Sequence, residues 1–252
     1  MCLWSAPLIL LARLRDASAP PAPVTRRAYL ASVTLARLPL FPLPLVLLPG
    51  ATLPLHIFEP RYRQLLVDAL SGTRRFGIVR RPEGVAEEDI PAGTIGSTAR
   101  IDRHETLPDG RSNITVSGHE RFSLARIVPT SAPYLVGEVT PHTDLPEPDS
   151  LLTELAGEAR VLFERVAQAA RAVADDASSA MTLPAGPREL AFAIAAFVEL
   201  DLDARQALLA SRSAAQRLRD IVAVLEPAAP VLEGRAAVHL QARSNGHGPH
   251  TP

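Results

Sequence analysis

Prolines at 39, 42, 44, 49, 54 and 60 puncture the most apolar part of this chain, "LPLFPLPLVLLPGATLPLHIFEP". Without them the stretch would read as buried strand. Proline has no N–H to give to a ladder, so each extended piece must lie at a sheet edge or be interrupted. Across the 252 residues there are 24 prolines, about double the usual share, which favours β-rich structure with many turns over an all-helical bundle.

Gly50 supplies a turn between two extended pieces, 38–49 and 52–58. At Glu59-Pro60 the character changes. Pro60 suits a first helical turn, where a missing N–H costs nothing, and Glu59 lies at the positive end of the helix dipole. Tyr62, Leu65, Leu66, Ala69 and Leu70 then recur at helical spacing, and Gly72 ends the run. Short strands are expected over 74–81, 94–101, 112–118, 121–128 and 133–139, with an Asp-Gly turn at 109–110. Many short antiparallel strands with a single early helix predict a small barrel or closed sheet.

Beyond residue 145 the period becomes helical. Asp149 or Ser150 is placed to cap a helix carrying Leu152, Leu155, Ala159, Leu162, Val166, Ala169 and Val173 on one stripe. The segment 188–200 is apolar nearly all round, as expected of a helix buried among others. Asp203 with Gln206, and Ser213 with Gln216, have capping-box spacing ahead of two further helices. The domain reading is a disordered leader over 1–36, a β-barrel over 37–145, helices over 146–226 and a disordered Pro-, Gly- and His-rich tail over 227–252.

The chain has no lysine; all 26 basic residues are arginine. Chemistry that needs a lysine amine, including Schiff bases, the P-loop lysine and the Ser-Lys dyad, is excluded within it. Arginine stays protonated and is no substitute base. The single cysteine, Cys2, cannot form an internal disulfide, so no oxidising compartment is implied and a cytoplasmic location is expected. A net charge of −1 offers no bulk attraction for nucleic acid or anionic membrane. The N-terminal apolar run is too short to span a bilayer, and its arginines follow it rather than precede it.

The opening stretch, with "LPLFP", "LPG", "LPL", "IFE" and "RY" in succession, resembles the start of the Lon protease N-terminal domain, the LON substrate-binding domain. "GSTARI", "LPDGR", "SGHERF", "YLVGEV", "RQALL" and "QRLRDIVAVL" follow in the family's order, so the resemblance covers about residues 37–226. It implies an α+β protein, a PUA-like β-pseudobarrel followed by a C-terminal helical bundle. It further implies a stand-alone LON domain that recognises unfolded or extended polypeptide, beside a protease or chaperone partner in protein quality control. The family's ATPase and peptidase lie in later domains, so no enzyme activity, no cofactor and no metal are expected.

Several side-chain groups carry the functional reading. A peptide-binding groove is placed at Leu43, Leu45, Ile57, Phe58, Glu59, Arg61 and Tyr62, where Pro42, Pro44 and Pro54 leave backbone groups unpaired. The competing reading makes the apolar members core residues and the polar ones a helix start. His104-Glu105 and His119-Glu120 lack helical metal-ligand spacing and read as surface turns. Ser117 lies outside any nucleophile elbow. Arg74, Arg75, Arg80 and Arg81 flank one strand and support the alternative of an RNA-binding PUA-like protein, although the acidic loop beside them speaks against it. A small-molecule site between barrel and bundle is the third reading.

Overall fold

The computed structural model describes residues 35–174 and 182–245, and Leu35 onward forms one compact unit. The expectation of a disordered leader falls almost wholly outside the described residues. Six strands form one sheet: β1 (Ala36–Leu43), β2 (Thr52–Ile57), β3 (Arg75–Arg80), β4 (Ile95–Thr106), β5 (Ser112–Val128) and β6 (Val136–Pro141). The order is β2-β5-β4-β3-β1-β6, and β5 also pairs with β6, so β5, β4, β3, β1 and β6 close into a ring. Only β1 and β3 run parallel, joined through helix α1 (Pro60–Ser71). This is the α+β pseudobarrel expected from the sequence.

The barrel interior alternates as a closed sheet requires. Leu40, Val79, Phe122, Leu124 and Val139 fill one part of the core. Phe41, Ile57, Phe76, Ile78, Ile101, Ile114 and Val116 fill the other, where the buried Tyr62, Leu65, Leu66 and Ala69 of α1 cap the barrel end. Phe41 and Tyr62 pack with ring centroids 4.1 Å apart and planes tilted by 36°. Glycine is required where β5 passes the β1–β2 loop. A Cβ on Gly118 would lie 2.2 Å from the Leu48 carbonyl oxygen, a backbone atom that cannot yield.

Four helices follow: α2 (Asp149–Val173), α3 (Pro187–Ala195), α4 (Leu202–Ala210) and α5 (Ala214–Asn245). α3 is buried almost all round, as its composition predicts, with Leu190, Ala191, Phe192, Ile194 and Ala195 inside. The bundle core extends into the barrel through Val46, Leu48 and Ile95.

Several expectations are corrected. The strands placed at 112–118 and 121–128 are one continuous β5: Gly118 pairs with Ala99 and Arg121 with Ser97, and the chain passes through a register shift at His119 and Glu120 instead of turning. α2 starts at Asp149 itself, with Pro148 as N-cap and no side-chain cap. α4 is capped two residues earlier than the box spacing suggests: Asp201 accepts from the Ala204 N–H at 2.7 Å, which frees Asp203 to pair with Arg80. Ser213 does cap α5, its Oγ accepting from the Gln216 N–H at 2.9 Å. The tail expected to be disordered from 227 is helical to Asn245 despite Pro227 and Pro230. Leu225, Ala229 and Ala236 continue a buried face, and Arg165 of α2 pairs with Glu233, so packing outweighs the two lost backbone bonds.

Candidate functional site

The seven residues proposed for a groove separate into three groups. Ile57 and Tyr62 are core, 3% and 4% exposed. Glu59, Arg61 and Tyr62 close on one another and on the 3₁₀ turn Glu87–Asp89. Arg61 donates twice to Glu87, at 2.7 and 3.0 Å, and through Nε to Glu59 at 2.9 Å; the Tyr62 hydroxyl donates to Glu87 at 2.9 Å. The Arg61 guanidinium also lies 4.5 Å from the Tyr62 ring centroid. Burial, then the bond to Glu87, pushes the Tyr62 phenol far above its usual range. Burial alone would lower Arg61, but its bonds to Glu87 and Glu59 raise it. These groups tie the start of α1 to the β3–β4 loop. Glu87 was hidden in the sequence inside a loop of like charges, "EGVAEED".

The third group reaches an open surface. β1 pairs with β6 over Ala36–Pro39 and with β3 over Leu40–Leu43, so among the described strands Leu43 has a register partner on its β3 side alone. Leu45 lies in the loop after it and lines a cavity of about 900 Å³ between the β1–β2 loop and α3. Leu47, Leu53, Leu183, Ala193 and the exposed Phe197 supply most of the remaining apolar wall. Phe58, 59% exposed, lies just past the end of β2 and stacks on His56.

Among the described strands β2 has β5 as its sole neighbour. The Gly118 N–H donates to the Ala51 carbonyl at 2.9 Å, and this fixes the alternation of the ladder. With the register Leu53 to Val116 and Leu55 to Ile114, the odd residues of β2 exchange bonds with β5. Thr52, Pro54 and His56 therefore turn their backbone groups outward, the one parity in which proline costs the sheet nothing. The side chains of Thr52, Pro54 and His56 are exposed, while Leu53 and Leu55 are half-buried on the barrel side. Thr52 and Leu53 also line the cavity, so the open edge and the apolar recess are continuous.

The remaining candidates are bound internally. Arg75 pairs with Glu120 at 3.1 Å, Arg80 with Asp203 at 2.6 Å, and Arg74 donates to the Ile101 carbonyl at 3.2 Å. Arg81 reaches the Val85 carbonyl at 3.5 Å. His119-Glu120 lies within β5, and His104-Glu105 lies at the end of β4, so neither pair is a turn. Among the described residues no group of three or more His, Cys, Asp or Glu is arranged to hold a metal ion. Ser117 Oγ is 3.1 Å from His119 Nε2 and also bonds Asp102, whose carboxyl is held below its usual range by that bond and by Arg100. The serine thus lies between histidine and carboxylate. A nucleophile needs the histidine in the middle, to take its proton and be oriented by the acid.

Sequence reasoning missed a second cluster. Asp144, in the segment joining barrel to helices, accepts from Arg217 at 2.7 Å through both terminal nitrogens, and from Arg121 of β5. Arg217 is fully buried and Arg121 is 9% exposed. Both guanidiniums lie over the Phe192 ring, at 4.5 and 5.4 Å. The partners are 23 and 73 residues apart in the chain, so no local pattern announces them.

A five-stranded ring with an extra edge strand and a helical bundle behind it defines the class: a PUA-like barrel domain of the Lon N-terminal type. The chain belongs to the family of ATP-dependent protease La (LON) substrate-binding domains, whose model matches residues 37–226. It is 30% identical over 213 residues to a Lon protease of Roseiflexus castenholzii, covering 82% of this chain and 26% of that one. It is likewise 30% identical to Lon protease 2 of Herpetosiphon aurantiacus, over 81% of this chain and 25% of that protein. The chain therefore spans about a quarter of the length of these relatives. Among solved structures it resembles a Lon N-terminal domain protein from Xanthomonas campestris, with a TM-score of 0.51 and 28% identity, covering 75% of this chain and 98% of that one. The N-terminal domain of the Mycobacterium avium complex Lon protease shares the fold, with a TM-score of 0.57 over 76% of this chain and 98% of that one, at 18% identity. No described helix is long and apolar enough to cross a membrane.

Proposed function

We propose that this chain is a non-catalytic polypeptide-binding module that presents unfolded or extended segments to a protease or chaperone partner in cytoplasmic protein quality control. One observation carries the reading: the outward backbone groups of β2 run directly into the apolar cavity lined by Leu45, Leu53 and Phe197. Extended peptides bind such edges through main-chain hydrogen bonds and pockets for alternate side chains. The substrate-binding description of the family supports the same ligand class. Leu45 and Phe58, of the residues first singled out, border this surface; Glu59, Arg61 and Tyr62 support it from the helix start. The serine order at Ser117 and the absence of lysine favour binding without bond cleavage.

The test is binding of unfolded casein by fluorescence anisotropy. Affinity should persist at high salt and fall several-fold in Phe197→Ala, since the contacts are apolar and backbone-mediated. Retention of RNA with a steep salt dependence, in place of casein binding, would favour the nucleic-acid alternative and refute this one. Casein turnover by the pure protein with ATP would overturn the non-catalytic assignment.

A further inference from the structure

We infer that Pro54 is a deliberate gap in the β2 edge, limiting its affinity, opposing pairing with a second copy of the chain and selecting a foreign strand of alternating apolar and polar residues. The inference rests on the edge-binding reading above. A strand added outside β2 exchanges bonds with Thr52, Pro54 and His56, the residues whose groups point away from β5. Thr52 and His56 each offer a donor and an acceptor. Pro54 offers only its carbonyl, so the ligand residue opposite it donates one bond and keeps an unpaired C=O.

The same geometry selects side chains. Ligand residues opposite Leu53 and Leu55 share the barrel-side face with those two leucines, next to the cavity that Leu53 lines. Residues opposite Thr52, Pro54 and His56 share the outer face, a polar surface on which Thr115 pairs with Arg103 and Asn113 with Glu105 on the neighbouring strands. The matching ligand has apolar side chains two residues apart with polar ones between and beside them. A second copy is a poor occupant. Antiparallel self-pairing centred on Pro54 sets proline against proline and loses both bonds of the central pair, and proline is one of the devices that protect exposed edges. A foreign strand loses only one.

The probes are a fluorescein-labelled heptapeptide, Ser-Leu-Thr-Phe-Thr-Leu-Ser, and a scrambled peptide of the same composition with its three apolar residues adjacent. The alternating peptide should bind more tightly than the scrambled one. Pro54→Thr should tighten it about three- to tenfold by restoring one donor. Thr52→Pro, which removes an outward donor without touching the β5 ladder, should weaken it by a similar factor while thermal unfolding confirms that the variant is folded. If wild type binds casein but Pro54→Thr leaves peptide affinity unchanged, or both peptides bind equally, the gap is refuted and the edge reading survives. If wild type binds neither casein nor peptide, the underlying reading fails. If the wild type itself dimerises in sedimentation and Thr52→Pro abolishes the dimer, the edge already pairs with a second copy despite Pro54 and the inference is overturned; dimerisation of Pro54→Thr alone is the outcome expected of a proline that opposes self-pairing.

Discussion

Replacing Asp144 with asparagine should unfold this protein more readily than any surface charge change. The carboxylate accepts two bonds of 2.7 Å from Arg217 and one from Arg121, both buried guanidiniums. Asparagine keeps one acceptor oxygen and turns an NH₂ toward a donor. Two cations then share a dry site with no counter-charge, although the carbonyls of Leu209, Ser211 and Arg188 still accept from them. Breaking a buried ion pair by removing one partner costs about 3–5 kcal/mol. The remaining carbonyl contacts argue for the lower half of that range, and the doubled cation for the upper half. Against a typical total stability of about 5–15 kcal/mol, most of the margin is at stake. Urea denaturation followed by circular dichroism reads the loss as a lowered midpoint at unchanged slope. The triple variant Asp144→Leu, Arg121→Met, Arg217→Met should recover most of it, because the whole charged set is removed. A loss under about 1 kcal/mol in Asp144→Asn would refute the claim that this carboxylate holds the guanidiniums in place.

Acid should act on the same region. Desolvation would raise Asp144, but the bonds and charge of Arg217 outweigh it and hold the group below its usual value, so its contribution is present above about pH 4 and is lost as pH falls lower. His142, facing Arg121, Arg212 and Asp144, is lowered first by burial. Its neutral form therefore supports folding above about pH 6.5, and stability should slip as pH drops from there, a step that His142→Gln removes from a pH series of unfolding midpoints. Glu87→Gln should cost about 1–2 kcal/mol by loosening Arg61 and Tyr62, with casein affinity nearly unchanged. Abolished binding at unchanged stability would make the Glu59, Arg61 and Tyr62 group a ligand contact rather than a support.

The helices were legible because their signals are local. Pro60 heads its helix, the apolar run at 190–195 is buried all round, and Ser213 caps where the spacing indicates. Features decided by distant partners were not. Gly118 reads as a turn residue, yet it stays in the strand because Leu48 passes too close for any side chain. Pro227 and Pro230 read as helix breakers, yet α2 lies alongside and rewards the continued helix. The prolines of the opening run signalled interrupted pairing without saying where it falls: β2 pairs with β5 on one side, and β1 is held by β6 over Ala36–Pro39 and by β3 over Leu40–Leu43, strands that come later in the chain. The candidate site was thus half visible: Leu45 and Phe58 border the exposed surface, while Leu53 and Phe197 came to light only with the packing of α3.

One strand answers for the whole enclosure. β5 pairs with β2, β4 and β6 along its 17 residues, so closure of the ring and support of the free edge depend on a single ribbon. β4, β3, β1 and β6 also pair with one another, but the ring closes and β2 gains its support only when that ribbon has joined β4, β6 and β2. Folding should therefore be slow for a domain of this size, and a chain cut within 118–121 should yield fragments that complement each other or nothing at all.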